Sequence, residues 1–154
     1  MNLLKKDLMG EFQIPFWKRK SLLEINNEEW ESLCDGCAKC CLHKLESEES
    51  GEVYYTSLAC NLLNLGTCQC KDYLKRHERV SECVKITPDR IDEYKFLPYT
   101  CAYRLISENK PLPDWHPLIS GSTETVHDEG ISVKGFAEHP EPDELFEHHL
   151  IKDP

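Results

Sequence analysis

Apolar positions fall in short bursts broken by charge and by Gly or Pro, so the pattern predicts short elements with irregular connections. Residues 1–25 mix Leu, Phe and Trp with charge and hold no sustained period; Phe12, Ile14, Phe16 and Trp17 read as a segment anchored on the core around Pro15. A helix is predicted next, with Asn26 or Asn27 as cap. Glu28 and Glu29 suit its positive end, and Trp30 and Leu33 share one side. Leu42 to Leu45 and Val53 to Thr56 flank the acidic, Gly-terminated run Glu46–Gly51 and predict a hairpin. That run lacks the alternating ligand spacing of a calcium loop and reads as solvated.

Further along, residues 71–79 predict a surface helix. Thr87-Pro88 starts another that ends near Tyr94. Thr100 is the expected cap of a third helix, whose first turn would hold Cys101. From Pro111 to Gly121 the chain is Pro-punctuated but apolar enough to pack, and Ile131-Ser132-Val133 reads as a strand. Residues 137–154, rich in Glu, Asp, His and Pro, are expected to form a flexible acidic tail behind a single domain over 1–136. The fold class expected is α+β: mainly short helices and irregular loops with little strand, organised around a cysteine-ligated metal site.

Composition sharpens this. A chain of 154 residues with 40% hydrophobic and 9% aromatic residues can bury only a modest core, which a metal or covalent staple would help. The net charge of −10 argues against general nucleic-acid or anionic-membrane binding; Lys18-Arg19-Lys20 is a local exception that reads as a solvated turn. No stretch approaches the apolar run of a membrane helix, and the charged first residues do not read as a signal peptide. A cytoplasmic protein with reduced thiols is expected.

Chemistry concentrates in the cysteines. Cys34, Cys37, Cys40 and Cys41 lie within eight residues, and Cys60, Cys68, Cys70, Cys83 and Cys101 complete a set of nine. An odd count and an adjacent doublet suit a disulfide framework badly. Four thiolates suit zinc or an iron–sulfur centre better than magnesium or calcium. Cys-x2-Cys-x2-Cys overlaps the ferredoxin run, whereas zinc sites more often join two separated pairs. The doublet fits neither template cleanly, so one member can serve each of two sites. All nine cysteines are candidate ligands, for two sites or for one site plus buried structural thiols. Cys68 and Cys70, one residue apart, can reach one ion or two neighbouring ions from a tight turn. His43 is a weaker ligand candidate; His116, between Trp115 and Pro117, reads first as a packed loop histidine with a functional role as the alternative, and His127, His139, His148 and His149 are weaker still. Phosphate loops, nucleophile elbows and His-Glu-x-x-His runs are missing from the sequence, and Cys-x2-Cys lacks the βαβ context of a thioredoxin-like pair.

Several stretches together resemble a known family: Phe16-Trp17-Lys18, Glu29-Trp30-Glu31, Leu33 to Cys41, Ala59-Cys60, Thr67-Cys68-Gln69-Cys70, Leu97-Pro98, Thr100 to Arg104 and Trp115 to Leu118. Over about residues 12–135 the chain resembles the bacterial YcgN-type cysteine-cluster proteins, of the CxxCxxCC group described as zinc- or iron-chelating. The resemblance implies a metal-binding protein without naming a reaction. Its cofactor would be zinc or iron, with a [4Fe-4S] cluster as the iron–sulfur option. Two alternatives stand beside simple chelation. One is a small redox or radical-type iron–sulfur enzyme with His116, Tyr103 and Arg104 near a substrate pocket. The other is a zinc-stabilised module for an unknown protein partner.

Overall fold

A computed structural model describes residues 14–152, together with the backbone of 5–6 and 12–13. Among the described residues, six short strands form three antiparallel pairs: β1 (Lys5–Lys6) with β2 (Phe12–Gln13), β3 (Leu42–Glu46) with β4 (Val53–Ala59), and β5 (Leu63–Asn64) with β6 (Gln69–Cys70). The α-helices are α1 (Phe16–Arg19), α2 (Asn27–Ser32), α3 (Arg76–Arg79), α4 (Ala102–Ser107), α5 (Pro117–Ser120) and α6 (Thr125–Asp128). None of the described helices is long and apolar enough to cross a membrane. The expectation of mixed short helix and little strand is borne out.

The chain divides into two compact units, each assembled from separated segments. The first comprises 1–35, 86–95 and 99–126; the second comprises 36–85, 96–98 and 127–154. In the first unit, α2 opens with a capping box: the Asn26 side chain accepts from the Glu29 amide at 2.8 Å, and the Glu29 carboxylate accepts from the Asn26 amide at 3.3 Å. The helix presents Trp30 inward, where its ring meets Tyr103 of α4 at 4.5 Å. Trp30 Nε1 donates to the Ile86 carbonyl at 2.8 Å, and Tyr103 Oη donates to the Trp30 carbonyl at 3.0 Å. Three segments far apart in sequence are thereby tied at one aromatic pair.

The second unit is built on the β3–β4 hairpin, as its flanking sequence predicts. A bulge shifts the register between Leu42 and Lys44. Ala38, Leu42, Tyr55, Ala59, Leu63, Cys68 and Val133 close its core. The far edge of β4 is covered by the polar segment read as a tail. Glu138 exchanges backbone bonds with Ser57 and Ala59 at 3.0 and 2.8 Å, and the Ile151 amide donates to the Tyr55 carbonyl at 2.9 Å. An edge strand otherwise exposes unpaired backbone groups, so this cover satisfies them.

Several local expectations are corrected. Ile14 is 56% exposed rather than anchored, since it lies on irregular backbone ahead of α1 and its Pro15 cap; Phe16 and Trp17 are half-buried and pack edge-to-face at 5.2 Å. The side chain of Phe12 lies outside the described residues. Pro88–Glu93 forms a 3₁₀ helix, and the Thr87 side chain makes no cap bond; Thr87 Oγ1 is buried without a partner. The cap position of α4 belongs to Cys101 rather than Thr100, so Cys101 precedes the first turn. Residues 71–79 split into a 3₁₀ turn (Tyr73–Lys75) and the single turn of α3. Ile131–Val133 forms bends instead of a strand, and Val133 reaches the core through its amide bond to the Cys37 carbonyl at 3.0 Å.

Candidate metal centre

All nine cysteines are thiols rather than disulfides. Cys34 and Cys101 fall in the first unit and the other seven in the second. Beyond α2 the chain turns sharply: Gly36 takes φ +78, as the Asp35-Gly36 pair suggests, and Ala38 takes φ +61. A left-handed non-glycine residue costs on the order of 1 kcal/mol, so the surrounding contacts hold Ala38 there. The 3₁₀ turn Lys39–Cys41 follows, closed by the Cys41 amide donating to the Ala38 carbonyl at 3.0 Å. The Cys60 amide then donates to the Cys41 carbonyl at 2.9 Å, which brings the end of β4 beside the doublet.

The thiols in this unit interact. Cys41 is held well above the usual thiol range, first by its hydrogen bond with the Cys40 thiol, then by burial and by the neighbouring Cys40 and Cys60. Cys83 is also pushed up, chiefly by burial. Arg76 opposes that rise, while Cys40, Cys60 and Cys70 add to it. Five thiols from four separate segments (40–41, 60, 70 and 83) therefore share one electrostatic neighbourhood. Neighbouring thiolates need a cation among them to offset their mutual repulsion. That chemistry fits zinc or iron. Among the described residues, though, no group of three or more His, Cys, Asp or Glu is placed to hold one ion. The thiols are neighbours without converging on a point.

Lys44 is the cation facing the doublet. Its Nζ donates to the carbonyls of Cys40 and Leu42 at 2.9 and 2.7 Å, and it lies over the rings of Tyr55 and Phe96. Burial lowers its pKa, and Cys40 and Cys41 oppose the shift. Cys68 behaves differently from Cys70, although one residue separates them. Cys68 adopts φ +59 and is buried in the hairpin core, while Cys70 on β6 pairs with Leu63 and faces Cys83 electrostatically. Burial raises the Cys68 thiol, and its hydrogen bond with Ser132 opposes that. Cys37 is likewise buried.

Five of the histidines singled out from sequence have partners of their own. His116 is fully buried between the Leu33 carbonyl and the Leu118 amide. His43 stacks on Phe146 at 4.8 Å. His139 bonds the Leu63 carbonyl, His127 the Ser132 hydroxyl and His149 the Glu144 carboxylate, at 2.9, 2.7 and 2.7 Å. Tyr103 is a packing residue, and Arg104 pairs with Glu108 at 2.9 Å. Sequence reasoning missed His77, whose Nδ1 lies 2.9 Å from the Cys83 carbonyl and whose Nε2 is buried without a hydrogen-bond partner. The His-x5-Cys spacing of 77 and 83 was the one signal, and it is too loose to stand out.

Comparison with known proteins agrees with this distribution. Residues 33–102, which enclose all nine cysteines, match the CxxCxxCC domain, described as a "Putative zinc- or iron-chelating domain". A UPF0260 protein of Vibrio atlanticus is 60% identical over 121 residues, covering 79% of this chain and 83% of the relative. A UPF0260 protein of Brucella canis is 58% identical over 121 residues, covering 79% and 80%. One from Marinobacter nauticus is 52% identical over 141 residues, covering 90% and 95%. No solved structure matches. The resemblance carried by the cysteine motifs is thus borne out: the chain belongs to the UPF0260 family and carries a CxxCxxCC domain across its cysteine-bearing stretch.

Proposed function

We propose that the second unit chelates zinc or iron through thiolates drawn from Cys40, Cys41, Cys60, Cys70 and Cys83. The observation that carries this reading is the shared electrostatic neighbourhood of thiols from four separate segments. A core of seven buried residues gains from a staple between the segments that carry these thiols. Binding draws the thiols inward and releases their protons, so affinity rises with pH. Lys44 offsets part of the negative charge of a thiolate-rich site. Such a site suits a reducing compartment, and the cytosol is the setting we assign to it.

Protein purified without oxygen should contain zinc or iron in stoichiometric amount. A visible charge-transfer band identifies an iron–sulfur cluster such as [4Fe-4S]; a colourless, zinc-loaded sample identifies a closed thiolate site. A fully folded preparation lacking both metals overturns the proposal.

A further inference from the structure

We propose that His77 supplies a nitrogen ligand to this thiolate site, making it a mixed sulfur–nitrogen centre. The inference rests on the chelation reading and adds a residue to it. A carbonyl oxygen only accepts, so the 2.9 Å contact with Cys83 requires that His77 Nδ1 carry the proton. In the neutral ring, Nε2 then presents a lone pair, and that atom is buried with no donor against it. A buried acceptor left unsatisfied is costly, and a partner outside the polypeptide would satisfy it.

The cation adjacent in sequence, Arg76, is engaged elsewhere. Arg76 stacks on Tyr73 at 3.7 Å and donates to the Tyr73 carbonyl at 2.5 Å. The bond to Cys83 ties the imidazole to the backbone of a thiol that itself faces Cys40, Cys60 and Cys70. Donation from one ring nitrogen to a backbone carbonyl, with the other nitrogen left open, is how metal-bound imidazoles are oriented. His43, by comparison, is stacked on Phe146, and both ring nitrogens of His116 are bonded to backbone groups. Three thiolates and one imidazole make a common closed zinc set.

X-ray absorption at the zinc edge of the full zinc-loaded chain tests the assignment. The expected first shell is sulfur plus one light atom, with the outer-shell scattering of an imidazole ring. His77→Ala should lose the ring signal and surrender zinc to a competing chelator about ten-fold faster or more. His77→Cys should retain zinc with an all-sulfur shell, which separates ligand loss from misfolding. An all-sulfur shell in the unaltered chain overturns the role of His77, as does a ring signal that persists in His77→Ala; chelation stands in both cases. A chain that takes up neither zinc nor iron overturns chelation and this assignment together.

Discussion

His116 Nε2 donates to the Leu33 carbonyl at 2.8 Å across 83 residues of sequence, and its Nδ1 accepts from the Leu118 amide at 3.0 Å. The ring is fully buried, so the pair pins the exit of α2 to the start of α5. His116→Ala leaves a cavity and two unsatisfied backbone groups. Urea unfolding should show a loss of about 2–4 kcal/mol. The folded variant should keep the metal content of the parent; loss of metal from folded protein would place His116 in the site instead.

The same histidine predicts a pH dependence. Burial lowers its pKa from the ordinary 6.5, with the Leu33 carbonyl and Asp35 opposing. The unfolded chain therefore binds the proton more tightly. Stability contributed by the neutral ring is complete above about 6.5 and declines as pH falls below it towards the folded value, with a slope of at most about 1.4 kcal/mol per pH unit. Unfolding free energies measured across mildly acidic pH should show this slope, and His116→Gln should flatten it.

The capping box makes a second stability prediction. Asn26 satisfies the Glu29 amide at the start of a helix only six residues long. Asn26→Ala should cost about 1 kcal/mol, while Asn26→Ser should restore most of it. Thermal melting followed by circular dichroism reads both variants, and an unchanged midpoint in Asn26→Ala would contradict the assignment.

Cysteine substitutions should divide into two classes. Cys60 stands beside the doublet and among the interacting thiols, so Cys60→Ser should weaken metal retention against a chelator while the apo-protein stays folded. Cys68 packs in the hairpin core, so Cys68→Ala should lower stability by about 1–2 kcal/mol and leave metal stoichiometry intact. Metal analysis paired with denaturation distinguishes them. Equal metal loss in both variants would remove the distinction drawn between Cys60 and Cys68.

Local signals in the chain were enough to place a cap at Asn26 or Asn27, the hairpin around residues 46–51, the Gly36 turn and the thiol-rich stretch that defines the family. Each depends on residues close in sequence: a side chain reaching an amide three positions on, a glycine taking a positive φ, a spacing between cysteines. Tertiary structure decided what depends on separated segments meeting. It placed Cys68 in the core and Cys70 with Cys83, though a one-residue spacing cannot distinguish them. It set Glu138 and Leu150–Ile151 against β4, because a polar segment can satisfy an open strand edge through its backbone whatever its side chains. It turned His116 into a buried brace and left His77 Nε2 buried without a partner, since the environment of an imidazole is set by what folds around it.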